Sequence, residues 1–286
     1  MPAAAVTASA TSVTASATSV TASATTPAVT ATSARTIEDP AVAAVLAWWD
    51  AHARVLPWRA SRDVYAIWVS EVMSAQTSVT RAAEAWERWM TRWPTVDALA
   101  RASLAELLAE WQGLGYPRRA RDLHRSAQIV AAAGWPGDLT ELPGVGAYVA
   151  AAIACFAREE PVLPLDVNTR RVLVRRFPEG IDTRGDAWRA GQALMEFGQR
   201  ICRAEPRCEL CPVSDGCRAS GATDPVPRAR RQPRYEGSLR QRRGTLLRQV
   251  VAEGSMELAQ ADRDAAEGLV EDGLLTVRDG CLRIPI

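Results

Sequence analysis

Residues 202–217 read C-RAEPR-C-EL-C-PVSDG-C, with thiols at Cys202, Cys208, Cys211 and Cys217. The other two cysteines, Cys155 and Cys281, lie far away in sequence. Four thiols this close can wrap one compact inorganic centre, and cysteine thiolates hold iron–sulfur clusters in runs of this kind. Structural zinc sites usually split their ligands into two short knuckles separated by a longer stretch. Here a lone CxxC has a five-residue gap on each side, which favours a [4Fe–4S] cluster over zinc. A disulfide framework is the weakest reading, because nothing in the chain looks secreted.

Outward from this run, 286 residues suffice for two modest domains and a sizeable core. The formal net charge is +1, so the whole chain carries no strong bias toward an anionic partner. All 34 basic residues are arginine. Arginine suits bidentate contact with phosphate. The lack of lysine means that no lysine amine can form a Schiff base. His52 and His124 are the only histidines, which argues against histidine-driven triads and His-rich metal sites.

The start of the chain is repetitive. VTASATS begins at Val6 and again at Val13, and VTASAT begins at Val20. The stretch has no acid, and its first basic residue is Arg35. Small residues bury too little surface to offset ordering entropy. Residues 1–36 therefore read as a disordered low-complexity tail. It lacks the basic start and apolar run of a signal peptide, and no apolar run reaches transmembrane length. The expectation is a cytoplasmic, nucleoid-associated protein with no membrane contact.

Helix signals dominate the rest. Asp39-Pro40 gives an N-cap followed by proline at the first helical position, with Val42, Val45, Leu46 and Trp49 at helical spacing. Ser103 and Glu106 form a capping box ahead of an apolar face. Strand signals are scarce before residue 270. Residues 218–248 hold nine arginines against Asp224 and Glu236. Such a run is either a solvated tail or an attraction for phosphates beside a DNA-binding body. Prolines 225, 227 and 233 make residues 221–237 a basic linker. Helical patterns then cover Leu239–Ala252 and Arg263–Glu271, and Leu274–Ile284 reads as a hairpin turning at Asp279-Gly280. Residues 238–286 are therefore expected to form a small winged-helix-like domain.

Leu142-Pro143-Gly144-Val145-Gly146 precedes an apolar helix that starts near Ala147. Two glycines permit a tight turn with exposed amides, and the next helix adds its dipole. Gly144, Val145 and Gly146 are thus a candidate phosphate-gripping hairpin; a plain helix–turn–helix connection is the alternative. Further on, Leu165-Asp166-Val167-Asn168 places Asp166 just ahead of a helix. It reads as an N-cap, or as a carboxylate facing a developing positive charge.

LPGVG, then LDVN-x-RRV, then the four cysteines, in that order, resemble the helix–hairpin–helix DNA glycosylases that carry an iron–sulfur cluster. The likeness spans residues 40–220. Within that superfamily, Pro57-Trp58-Arg59, Trp68-Val69-Ser70-Glu71-Val72-Met73, Gln76-Thr77 and Gly113-Leu114-Gly115-Tyr116 look like the adenine-specific mismatch glycosylases of the MutY type. The resemblance implies an all-α, two-lobed body over 37–220. One lobe is a six-helix domain over about 62–165. The other is an iron–sulfur domain made of 37–61 plus 166–220.

The resemblance also implies roles. Glu71 would be the general acid that protonates N7 of a flipped adenine, and Asp166 would stabilise the oxocarbenium ion at the sugar. Tyr148 stands where the related endonuclease III enzymes keep a Schiff-base lysine. Trp58, Arg59 and Gln192 would line the adenine pocket. Gln76, Thr77, Leu114 and Tyr116 would sit near the base opposite and the gap left by flipping. Cys202, Cys208, Cys211 and Cys217 would hold a [4Fe–4S] cluster. The implied partner is double-stranded DNA with adenine opposite 8-oxoguanine or guanine, bound by a monomer.

The chain departs from that pattern in three places. The family's cysteine gaps run six-two-five, whereas here they run five-two-five. Ser74-Ala75-Gln76 is closer to endonuclease III than to the family's usual L-Q-Q. The residues after Cys217 are too few for the Nudix-like β-domain that inspects 8-oxoguanine in many members.

Read singly, Glu71 is a surface residue of an amphipathic helix and Tyr148 a helix-packing aromatic. The apolar neighbours Ile67, Trp68, Val72 and Met73 point instead to partial burial of Glu71. A thymine-mismatch glycosylase is one rival, against which Glu71 argues because thymine has no N7. An endonuclease III-like lyase is disfavoured by the missing lysine. A non-catalytic iron–sulfur DNA-binding module is disfavoured by the pairing of Glu71 with Asp166.

Overall fold

The first helix starts where its cap dictates. The Asp39 carboxylate accepts from the backbone amides of Ala41 and Val42, Pro40 opens the helix, and α1 runs Pro40–His52 with Val42, Val45, Leu46 and Trp49 buried. The computed structural model describes residues 34–219 and 234–286. The N-terminal repeats and most of the linker expected over 221–237 lie outside the described residues.

Helix α2 (Val64–Ser74) is capped by Asp63, whose side chain accepts from the Ala66 amide. Eight of its residues are buried, including Trp68, Val69 and Met73. A helix that is apolar nearly all round belongs in a core, and α2 packs between α3 (Val79–Arg92) and α7 (Ala147–Ala157). Around it lie α4 (Val96–Arg101), α5 (Leu104–Glu110) and α6 (Arg118–Ala133). The Ser103–Glu106 capping box at the start of α5 is fully formed. Helices α8 (Val167–Arg176) and α9 (Ala187–Arg200) complete the body.

Two buried clusters divide the described chain. The larger gathers α2 to α7 with tryptophans 58, 68, 89, 93 and 111. The smaller joins α1, α8 and α9 with Ile201, Cys202 and Val213. The cleft described below lies where the two meet.

The C-terminal part contains α10 (Leu239–Glu253), β1 (Ser255–Glu257), α11 (Arg263–Glu271), β2 (Thr276–Arg278) and β3 (Cys281–Arg283). Its antiparallel sheet runs β1-β3-β2. Asp279 and Gly280, both at positive φ, close the β2–β3 hairpin, as the two-residue turn requires. Strand β1 precedes residue 270 and has no periodic signature. It forms because β3 offers an edge, pairing Met256 with Leu282. The helix–strand–helix–hairpin order is compatible with the winged-helix-like reading. Leu246, Leu247, Val250, Leu269 and Leu282 join the larger hydrophobic cluster of the body. Helix α10 packs on α5, and Asp272 pairs with Arg118 of α6 and with Arg243 of α10.

Candidate active site

Glu71 is the one acidic residue of α2, and it emerges half-buried in a cleft of about 310 Å³ between the two clusters. The Tyr148 hydroxyl, from the first turn of α7, donates to Glu71 Oε2 at 2.9 Å. Desolvation pushes the Glu71 carboxyl up to about 7, the Asp166 charge adds to that rise, and the tyrosine hydrogen bond opposes it. The carboxyl can therefore hold a proton near neutral pH. Burial first, then the Glu71 charge, pushes the Tyr148 phenol well above its ordinary range, so Tyr148 remains a donor.

Asp166 lines the same cleft. It is the N-cap of α8, accepting from the amides of Asn168 (3.1 Å) and Thr169 (2.7 Å). The Asn168 side-chain amide donates to its other oxygen at 2.6 Å. The carboxylate is thus fixed at the positive end of a helix dipole, opposite Glu71. Gly198 of α9 makes this placement possible. A Cβ there would lie 2.6 Å from the Asn168 carbonyl oxygen, so only glycine lets α9 press this close to the start of α8.

The back of the cleft is built on Glu196, which the sequence reading did not single out. Its side chain is fully buried. It accepts from Arg54 Nε (2.8 Å), Arg59 Nη2 (2.7 Å) and Arg200 Nη1 (3.1 Å). Burial acts to raise its pKa, but the hydrogen bond and charge of Arg59, with Arg54, outweigh burial and hold it below the usual carboxylate range. Arg59 also donates to Gln192 Oε1 at 2.9 Å and to the Arg54 carbonyl at 2.7 Å. Trp58, Arg59, Gln76 and Gln192 all line the cleft with Glu71, Tyr148 and Asp166. The signal for Glu196 was an acid set among Ala193, Leu194 and Phe197 on an apolar helix face.

Thr77, Leu114 and Tyr116 do not line the cleft; they form an adjoining pair of loops. Tyr116 is exposed, whereas Leu114 is only 4% exposed and belongs to the core. The Leu114 side chain packs inward in this conformation. Its contribution is the backbone carbonyl, which accepts from Thr77 Oγ1 at 3.1 Å.

At the hairpin, Gly144 has φ of 76°, and a Cβ there would meet the Asp122 Cβ at 2.9 Å. Glycine is required at that position on both counts. Gly146 is the N-cap of α7, with nothing near its Cβ position. The Val145 side chain is buried, so the hairpin exposes backbone, as an anion-gripping turn must. Ser126 of α6 ties it down by donating to the Pro143 carbonyl at 2.8 Å.

Cys202, Cys208, Cys211 and Cys217 line one small cavity with Arg175 and Pro206. Among the described residues, no group of three or more Cys, His, Asp or Glu side chains is arranged to hold a single metal ion. Four thiols lining one cavity are a donor set that a [4Fe–4S] cluster or a zinc ion can use. The short first gap is closed from α8. Buried Arg175 donates to the carbonyls of Arg203 (2.7 Å) and Ala204 (3.3 Å), and its Nη1 lies 3.6 Å from Cys202 Sγ. Arg171 bridges Asn168 Oδ1 (3.2 Å) and the Cys202 carbonyl (3.2 Å). No residue between Cys202 and Cys208 adopts a positive φ, so the shorter loop needs no left-handed backbone.

Comparison with known proteins agrees with this geometry. Residues 69–188 match the family described as HhH-GPD superfamily base excision DNA repair protein. The chain is 38% identical over 268 residues to the adenine DNA glycosylase of Mycolicibacterium smegmatis, covering 81% of this chain and 91% of that one. It is 38% identical over 210 residues to the adenine DNA glycosylase of Homo sapiens, covering 62% of this chain and 38% of the human protein. A thermostable thymine-DNA glycosylase structure matches with a TM-score of 0.57 at 24% identity, over 63% of this chain and 94% of that one. A trapped endonuclease III–DNA covalent intermediate matches with a TM-score of 0.53 at 22% identity, with the same coverage. These two likenesses speak to the fold alone. By its identity to the mycobacterial enzyme across nearly the whole of that protein, the chain belongs to the adenine DNA glycosylases, within the HhH-GPD superfamily of base excision DNA repair proteins.

Proposed function

We propose that this protein is a monofunctional DNA glycosylase that hydrolyses the N-glycosidic bond of adenine mispaired with 8-oxoguanine or guanine. One observation carries the reading. A carboxyl poised near pH 7, Glu71, shares a cleft with a second carboxylate, Asp166, fixed at a helix N-terminus.

Adenine is a poor leaving group until N7 is protonated. Glu71 supplies that proton. As the bond to the sugar breaks, positive charge builds on the sugar ring and Asp166 stabilises it. The division of labour parallels the two-carboxylate scheme of glycoside hydrolysis. The base first leaves the stack, at a cost of a few kcal/mol that is least at a mismatch. Arg59 and Gln192 then hold it against Trp58, with Glu196 fixing Arg59 from behind. Water completes hydrolysis. The exposed backbone of the 144–146 hairpin grips a phosphate without regard to sequence.

Cys202, Cys208, Cys211 and Cys217 would hold a [4Fe–4S] cluster. When bound, it supplies a covalent tie that orders residues 202–217. The protein acts as a monomer on duplex DNA.

The test is base release from duplexes carrying A:8-oxoG, A:G, T:G or thymine glycol. Adenine is expected from the first two only. Release of thymine alone makes this a thymine-mismatch enzyme. Release from none of them, with duplex binding intact, makes it a binding module.

A further inference from the structure

Arg119, in the first turn of α6, holds two separate loops at once. Its Nη1 donates to the carbonyls of Val72 and Ala75, the latter at 2.6 Å. Its Nη2 donates to the carbonyls of Leu114 (3.0 Å) and Gly115 (3.1 Å) and lies 3.4 Å from Thr77 Oγ1. One guanidinium therefore ties the C-terminal end of α2, three residues beyond Glu71, to the 113–116 loop. Its Cζ sits 5.4 Å from the ring centres of both Trp111 and Tyr116.

The two loops are also where the backbone is strained. Gln76 (φ 57°) and Tyr116 (φ 49°) are non-glycine residues in the left-handed region. Such conformations persist only where the surroundings over-determine them, and they gather at functional sites. Arg119 is the shared restraint. Val72 and Met73 carry orphan carbonyls at the end of α2, where a cation is doubly suited. Ala75 and Gln76 line the mouth of the cleft, and Tyr116 is exposed beside it.

We infer that Arg119 is a positioning residue that locks the 75–77 and 113–116 loops into one rigid reading edge in register with Glu71. Sensing of the base opposite and presentation of the flipped base are then a single coupled event. The inference rests on the proposed function for what the edge reads, but the lock itself rests on Arg119 alone. Only the fork of an arginine can reach both loops. A lysine keeps the positive charge at the end of α2 but brings one nitrogen where two are needed.

The test compares wild type with Arg119→Lys and Arg119→Gln. For Arg119→Lys, we expect a thermal midpoint lowered by less than in Arg119→Gln and an unchanged iron content. The ratio of single-turnover adenine release from A:8-oxoG over A:C should fall by about tenfold or more, because charged hydrogen bonds to one loop are lost. Arg119→Gln should lose the same ratio and also melt earlier. A ratio fully restored by lysine overturns the lock, since charge alone would then suffice. Equal falls in ratio and in folded fraction for both variants also overturn it. A wild type that releases no adenine counts against the proposed function instead. In that case the preference for mismatched over matched duplex binding still reads the lock, and an equal preference in wild type and Arg119→Lys overturns it.

Discussion

The Tyr148 hydroxyl donates to Glu71 Oε2 at 2.9 Å, across 77 residues of sequence. The bond favours the ionised carboxylate and so pulls against the desolvation that holds Glu71 at about 7. Tyr148→Phe removes that opposition and leaves the Glu71 pKa higher. A general acid works in its protonated form, so activity is lost as pH rises through its pKa. The alkaline limb of the single-turnover pH profile is expected to move to higher pH in Tyr148→Phe. A limb that stays put, or moves toward acid, contradicts the assignment of Glu71 as the acid.

Glu71→Gln should abolish base release while leaving duplex binding within a few fold. Undiminished base release would sink the acid assignment. The same variant carries a stability signature. The folded pKa of about 7 exceeds the ordinary 4.5, so the folded state holds its proton longer than the unfolded chain. Wild type therefore loses stability as pH rises from about 4.5 through 7, by up to about 3 kcal/mol, whereas the glutamine variant does not. Urea melts at pH 5 and pH 8 check this. The stability gap in favour of Glu71→Gln should open at pH 8.

Glu196→Ala leaves Arg54, Arg59 and Arg200 facing a buried void without their shared carboxylate. Removing one partner of a buried ion pair typically costs about 3–5 kcal/mol. Denaturant titration should show a loss of that order, and any folded remainder should have weakened adenine affinity because Arg59 is no longer fixed. A loss below about 1 kcal/mol is incompatible with the network described.

Borohydride should trap no covalent enzyme–DNA adduct. The 286 residues include no lysine, and Tyr148 occupies the cleft beside both carboxylates. Efficient trapping would refute monofunctional chemistry.

Purified protein should contain iron and acid-labile sulfide in equal amounts, with no stoichiometric zinc. Cys211→Ser should lose the cluster's visible absorbance and melt earlier than wild type. Zinc in place of iron, bound by the same four thiols, would overturn the cluster reading.

Local rules were legible in the sequence where they act over a few residues. The Asp39 cap, the Ser103–Glu106 box and the Asp279-Gly280 turn each depend on neighbours within four positions, and each stands as read. The site was legible chiefly through ordered motifs. Glu71, Tyr148 and Asp166 lie far apart in the chain yet line one cleft. Burial was read less well, because it is set by partners elsewhere. Glu196 was missed because its arginines at 54 and 59 are more than 130 positions away. The inward turn of the Leu114 side chain to the core likewise had no local signal. Strand β1 has no pattern of its own and exists only through β3.

The C-terminal part sits on the body through a shared core: Leu246, Leu247 and Val250 of α10 lie in the same cluster as Trp89 and Trp111. A chain cut after residue 219 would therefore bare an oily flank on α5, and would report insolubility before it reported anything about DNA. Mapping by deletion is the wrong instrument for this protein. Point changes on the outer face of α10, such as Arg248→Ser, probe the same segment with that flank still covered.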